Sequence, residues 1–228
     1  MSSLDAVRER GPFVVAHRAG NDLRSLHRAE SARVAIVEAD LHLYAGRVEV
    51  RHLKTLGPVP VLWDKWKLAS AWAPRLQLDR LLDAAAPTTT LMLDLKGRDH
   101  RLAARVAAAL RERERATTVC CSQNWALLTA MDDVAGVRVV HSVGSARQLA
   151  AIRTRAADRS RIGISIHKKL LDPARVADLR RHVDLLMTWP VLDSDEATRL
   201  ADWGVDGMIT EQYEAVGGRL ADVLAKAA

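Results

Sequence analysis

Eight short apolar runs rich in Val, Ile and Leu, most of them separated by an amphipathic helical pattern, constrain this chain more than anything else in its sequence. The runs are Phe13–Ala16, Ile36–Leu41, Leu91–Leu95, Thr118–Cys121, Val137–Ser142, Ile162–Ile166, Asp184–Thr188 and Met208–Ile209. Continuous apolar runs of this length read as parallel strands buried on both faces. Helical periodicity fills Leu102–Leu110, Trp125–Met131, Ala146–Ala156, Pro173–Arg181 and Asp193–Trp203. Asp172-Pro173 supplies an N-cap followed by proline at the first helical position, and Gly204 stops the apolar stripe that ends at Trp203. Strand–helix alternation on this scale predicts an α/β fold, a (β/α)8 TIM barrel, in one domain spanning 1–228, near the low end of length for that architecture. A doubly wound open sheet is the alternative. Its dinucleotide-binding version is disfavoured, because His17-Arg18-Ala19-Gly20 after the first run is not a Gly-x-Gly-x-x-Gly turn.

The alternation breaks once, between His52 and Pro74, which reads as an irregular stretch. Just before it, Arg47–Val50 is expected to pair with the end of the second strand as a hairpin across Ala45-Gly46. With 49% hydrophobic residues among 228, the chain can bury a proper core. No apolar run is long enough to span a membrane, and Met1 to Pro12 is charged and does not read as a secretory leader. Cys120 and Cys121 are neighbours in a strand and point to opposite faces, so they are expected to be core thiols, which fits a cytoplasmic location. The net charge of +6 comes mostly from Arg interleaved with Glu and Asp on helices, as in Arg111-Glu112-Arg113-Glu114-Arg115. That pattern is a solvated helical surface and lacks the dense basic block of a nucleic-acid binder. It is compatible with a phosphate-bearing substrate or an anionic lipid surface.

Polar residues cluster where the first three strands end. His17-Arg18 follows the first strand, Glu38-x-Asp40 sits in the second, His52 lies beyond it, and Asp94-x-Lys96 ends the third. In a parallel barrel the functional groups gather at the C-terminal ends of strands. The two-residue spacing turns Glu38 and Asp40 to one face, and does the same for Asp94 and Lys96. Three carboxylates on adjacent strands repel one another unless a cation lies between them. All-oxygen ligands favour one hard divalent cation, Mg²⁺ or Ca²⁺, over zinc. Two histidines, three carboxylates and two fixed cations are the inventory for breaking a phosphodiester bond. The metal would neutralise charge on phosphate, Arg18 and Lys96 would hold its oxygens, and His17 and His52 would share the base and acid roles in an order the sequence leaves open.

These motifs together resemble the glycerophosphodiester phosphodiesterases, a family of (β/α)8 barrels. His17-Arg18 resembles the family's opening His-Arg-Gly, and Asn21 falls where its Asn is expected. Glu38-Ala39-Asp40 is similar to Glu-x-Asp, His52 lies at the family's spacing from that pair, and Asp94-Leu95-Lys96 stands at its Glu-x-Lys. Trp189 resembles the tryptophan after the seventh strand. Gly204-Val205-Asp206-Gly207-Met208-Ile209-Thr210 follows the closing motif. The resemblance covers about Val14 to Tyr213. It implies a metal-dependent hydrolase that splits glycerophosphodiesters into an alcohol and glycerol 3-phosphate, with Trp189 lining the substrate pocket.

The departures are specific. The Pro-Glu of the family's second motif is missing, Leu53 follows His52 in place of Asp, Asp94 replaces Glu, and Glu211 replaces the final Asp. The insertion common in the family is also absent. The Asp-x-Lys form also resembles the related sphingomyelinase D branch, which would make the substrate a sphingo- or lysophospholipid. A weakly catalytic barrel that binds a phosphorylated ligand is a third reading. His141 and His167 are further candidates for the pocket mouth, His42 is an outer neighbour of the metal ligands, and Ser122 is a polar wall. Trp63, Trp66 and Trp72, interleaved with Lys65 and Lys67, suit either barrel-end packing or a peripheral contact with lipid.

Overall fold

The computed structural model describes residues 3–56, 59–64, 67–70, 73–113, 117–157 and 162–227. Eight parallel strands close into a barrel, each near the run expected of it. They are β1 (Phe13–Ala16), β2 (Ile36–Tyr44), β3 (Thr90–Leu95), β4 (Thr118–Ser122), β5 (Val137–Val143), β6 (Gly163–His167), β7 (Leu185–Trp189) and β8 (Gly207–Thr210). Every strand pairs with the next in sequence. β1 closes the ring by pairing with β8 along its whole length and with β2 through Val15↔Ile36 and Ala16↔Val37.

Side-chain alternation then divides the core. Phe13, Val15, Ile36, Met92, Val119, Cys121, Val140, Leu185, Met187 and Ile209 form one buried cluster in the lumen. Leu4 of the N-terminal helix Ser3–Glu9 joins it. The intervening residues, such as Val14, Val37, Leu93 and Cys120, face the surrounding helices. The lumen is therefore filled by side chains, as such barrels are, and its C-terminal end is polar. The pairing of β1 with β8 needs Gly207: a Cβ there would meet Met187 Cγ at 2.5 Å and Phe13 Cε2 at 2.9 Å. Asp206 beside it accepts from the Arg180 guanidinium and from the Leu186 backbone N–H (2.8 Å), so this part of the closing motif builds the barrel floor. Cys120 and Cys121 are both buried free thiols.

Two stretches depart from expectation. The hairpin across Ala45-Gly46 forms, with Leu41↔Val50 and Tyr44↔Arg47 in register. The stretch beyond His52 is not irregular, because its described residues make a separate three-stranded antiparallel sheet from Lys54–Leu56, Val59–Asp64 and Lys67–Ser70. Leu76–Gln77 then returns to pair with Glu49 and Val50. Trp66 and Trp72 lie outside the described residues. The helix expected at Trp125–Met131 is a 3-10 helix, in which Thr129 Oγ1 donates back to the Ala126 carbonyl (2.9 Å).

Candidate active site at the C-terminal end of the barrel

Glu38, Asp40 and Asp94 converge. Each offers a carboxylate oxygen, and the three lie within 4.8 Å of one another. The register explains this: Asp40 stands directly opposite Asp94 across the β2–β3 pair, and Glu38 is one pleat below. All three continue the lumen-facing alternation of Ile36 and Met92.

The turn after β1 is built to press against β2. A Cβ on Gly20 would come within 2.8 Å of Ala39 Cβ and 3.0 Å of the Glu38 carbonyl oxygen. That close approach lets Arg18 adopt a left-handed backbone (φ 60°) and donate its N–H to Glu38 Oε2 (2.6 Å). It also lets Asn21 grip Asp40 twice. Asn21 Nδ2 donates to Asp40 Oδ2 (2.8 Å), and the Asp40 backbone N–H donates to Asn21 Oδ1 (2.8 Å). Asn21 thus satisfies a strand N–H lying beyond the end of β1, where no neighbouring backbone remains.

His52 arrives from the other side. The Arg51 N–H donates to the Asp40 carbonyl (2.9 Å), which carries the hairpin's return arm past the barrel mouth. Arg51 is itself buried against Glu49 (2.6 Å) and donates to the Leu53 carbonyl. The buried Glu49–Arg51 pair brackets His52 and was not singled out from the sequence. The His52 ring lies between Arg18 Nη2 (2.8 Å from Nε2) and Asp40 Oδ2 (3.2 Å from Nδ1). Arginine only donates, so Nε2 must accept, and the proton of the neutral ring sits on Nδ1, facing Asp40. On the far side of the cluster, Lys96 Nζ contacts Asp40 Oδ1 (2.8 Å) and Asp94 Oδ2.

The charges do not balance. Burial and the Asp40 charge raise the Glu38 pKa well above the ordinary carboxylate value, against Lys96 and the Arg18 N–H. Burial raises Asp94 too, opposed by Lys96. Asp40 goes the other way: burial opposes its ionisation, but bonds from His52, Lys96 and Asn21 outweigh it and hold the carboxyl well below its usual range. Burial works against the charge on Lys96, yet the three carboxylates raise its pKa above the ordinary value. Lys96 and the Arg18 guanidinium, whose Nε lies 3.9 Å from Asp40 Oδ2, are thus two cations for three carboxylates, and Asp94 Oδ1 is buried with no hydrogen-bond partner among the described residues. An orphaned carboxylate oxygen in an all-oxygen donor set fits a hard divalent cation.

His17 continues the lumen-facing alternation of Phe13 and Val15. Burial and the Arg18 charge push its pKa down to about 4, so its ring is neutral near pH 7. Its Nδ1 lies 3.6 Å from Glu211 Oε1, which also meets Arg18 Nη1 at 3.4 Å. Glu211 is therefore a further polar member of the cluster. Its sequence signal was only its place at the end of the closing motif. Trp189 and His167 end adjacent strands, and their rings meet edge to face at 4.8 Å. They share the barrel end with the cluster.

His141 is not at the mouth. It alternates with the lumen-facing Val140 and so points outward. There it packs on Trp125 (5.3 Å, edge to face) and accepts from Arg155 Nε (2.7 Å). Ser122 also lies off the pocket, bonded to the Leu95 carbonyl (2.7 Å). His42 stays on the Asp40 face and is half-buried. Burial and Arg51 push its pKa down to about 3.

No protein-family model matches the chain, and no curated protein matches it in sequence. Solved structures do match its fold. A phosphodiesterase of Oleispira antarctica, determined in complex with the product sn-glycerol-3-phosphate, superposes with a TM-score of 0.78 over 97% of this chain and 100% of that one, at 18% identity. A glycerophosphodiester phosphodiesterase of Parabacteroides distasonis gives 0.70 at 21% identity, covering 95% of this chain and 98% of its own. The corresponding enzyme of Thermotoga maritima gives 0.70 at 17% identity over 95% and 98%. At these identities the likeness is one of fold.

Proposed function

We propose that this chain is a metal-dependent glycerophosphodiester phosphodiesterase that releases an alcohol and glycerol 3-phosphate. The observation that carries this reading is the convergence of Glu38, Asp40 and Asp94 at one barrel mouth, with His17, His52, Arg18 and Lys96 around them. The fold shared with enzymes of that activity, one of them holding glycerol 3-phosphate, supports the choice of substrate class.

In this reading Glu38, Asp40 and Asp94 hold one divalent cation, Mg²⁺ or Ca²⁺. Bound there, the cation supplies Lewis-acid neutralisation of a phosphate oxygen. The chain's own groups do the rest. Arg18 and Lys96 bind the remaining phosphate oxygens, the first as a planar fork and the second as a point charge. His17 is neutral near pH 7 and takes the proton of the water whose oxygen forms the new bond to phosphorus as the bond to the departing alcohol breaks. His52, oriented by Asp40 at Nδ1, gives a proton from Nε2 to the departing alkoxide. Before that, the phosphate must draw Arg18 off Nε2, and the freed nitrogen must take up a proton from solvent. Asn21 fixes the Asp40 carboxylate on which His52 leans, while Trp189 and His167 flank the alcohol side of the mouth.

The test is turnover of glycerophosphocholine and glycerophosphoethanolamine, with sphingomyelin and lysophosphatidylcholine as parallel substrates, in Mg²⁺, in Ca²⁺ and in EDTA. Wild-type protein is expected to hydrolyse the soluble diesters and stop in EDTA. His17→Ala and His52→Ala should each lose at least about a hundredfold in kcat while keeping the wild-type circular dichroism. Full activity in either variant sinks the two-histidine scheme. Turnover of the lipids alone would move the chain to the phospholipase branch.

A further inference from the structure

We propose that the mouth end of the barrel docks on an anionic phospholipid surface. This rests on the distribution of apolar and basic residues and is independent of the phosphodiesterase reading. The large apolar side chains exposed among the described residues are Trp63 (37%), Leu68 (75%) and Leu192 (56%), and all three lie in segments that leave the barrel at the C-terminal end of a strand or of its hairpin. Leu192 lies in the loop that leaves β7. Trp63 and Leu68 sit on the three-stranded sheet, which leaves the barrel just after His52 and rejoins it at Leu76, opposite Val50. At the other end of the lumen the apolar side chains, Leu4 and Phe13, are buried.

The small sheet has two different faces. Lys54, Trp63 and Leu68 are direct cross-strand partners and so form one row on one face. Leu62, on the opposite face, is fully buried. The outer row is thus a cation, an indole and an isobutyl group side by side, with Lys54 Nζ 5.9 Å from the Trp63 ring. Trp and Lys are the residues favoured at the headgroup level of a bilayer, with Leu reaching deeper.

Charge selects the occupant. Lys54, Arg98 and Lys169 are exposed on this end, in the sheet and in the loops after β3 and β6, and no carboxylate pairs with them among the described residues. Asp172 and Asp193 are taken up by helix N-termini, Glu196 by Lys168, and Glu211 by His17 and Arg18. A second copy docking through the same face about a two-fold axis would bring like cations together. An anionic lipid surface meets them with opposite charge.

Co-sedimentation with vesicles of phosphatidylcholine, alone or mixed with phosphatidylglycerol, tests the proposal, with sedimentation velocity run in parallel. Wild-type protein is expected to bind the mixed vesicles, to release in high salt, and to remain monomeric in solution. Leu68→Glu combined with Leu192→Glu should lower the partition coefficient at least about tenfold. Lys54→Glu should weaken binding and its salt dependence. These residues are exposed and outside the candidate site, so hydrolysis of a soluble diester stays at the wild-type rate in every variant. Vesicle binding needs no turnover, so a failed activity assay leaves the docking result interpretable. Absent binding to the mixed vesicles, equal binding to neutral ones, or variants that bind like wild type would each overturn the proposal. So would a dimer that Leu68→Glu dissolves, since the face would then belong to a second copy.

Discussion

Asn21 holds Asp40 in the three-carboxylate cluster without adding a carboxylate of its own. Its amide both orients Asp40 Oδ2 and satisfies the Asp40 N–H. Asn21→Ala leaves that buried N–H unpaired, which costs about 1–3 kcal/mol of stability. It also frees the carboxylate to turn, and loss of such an orienting partner weakens a metal site about tenfold or more. Urea unfolding and calorimetric titration with Mg²⁺ or Ca²⁺ measure the two effects separately; an unchanged affinity with the expected loss of stability would limit Asn21 to a structural part. At this scale the sequence was informative wherever one spacing rule decided the answer. Glu38, Asp40 and Asp94 came together because residues two apart on a strand share a face, and adjacent strands stack like positions. His141 failed by the same rule: Val140 faces the lumen, so His141 one residue on had to face the helices. Glu211 and the Glu49–Arg51 pair were missed because their roles come from contacts between loops distant in sequence.

The hairpin that delivers His52 is an element under local strain. Ala45 (φ 46°) and Gly46 (φ 76°) both occupy the left-handed region, the conformation of the tight hairpin turn that favours Asn-Gly. An alanine there costs about 1 kcal/mol. Ala45→Asn is therefore expected to stabilise the protein by about 0.5–1 kcal/mol in denaturant unfolding, with unchanged turnover, because the register that sets His52 is already fixed by four cross-strand pairs. A destabilised variant would show that the turn is held in place by something other than its own backbone preference. The hairpin was legible because alternation on both arms flanked a Gly-containing turn. The sheet beyond it was not: its strands are three to six residues long, and Trp, Lys and Pro interrupt any period of two. The eight barrel strands were the easiest to read, since burial on both faces leaves unbroken apolar runs.

The whole molecule carries opposing proton linkages that a cation would shift. Unfolded histidine takes up a proton near pH 6.5, whereas folded His17 does so only at about 4 and His42 at about 3. In that window the unfolded chain binds more protons, so stability is full above 6.5 and drains away as pH falls. Glu38 and Asp94 act in the opposite sense. Their raised values mean that the folded chain holds protons the unfolded chain has already released, so stability is lost as pH rises through those values. A divalent cation held by these carboxylates removes the cost of ionising them, and protons compete with it for the same oxygens. In EDTA the thermal midpoint is therefore expected to decline on both sides of a maximum, and His42→Gln should flatten the acid side. Saturating Mg²⁺ or Ca²⁺ should raise stability by about 2.7 kcal/mol at a hundredfold excess over Kd. At a fixed cation concentration the increment should grow from pH 5 to pH 8 as Kd falls, and disappear in Asp94→Asn, because Asp94 supplies a carboxylate oxygen with no hydrogen-bond partner among the described residues. An increment independent of pH, or one that survives Asp94→Asn, would place cation binding somewhere other than the three converging carboxylates.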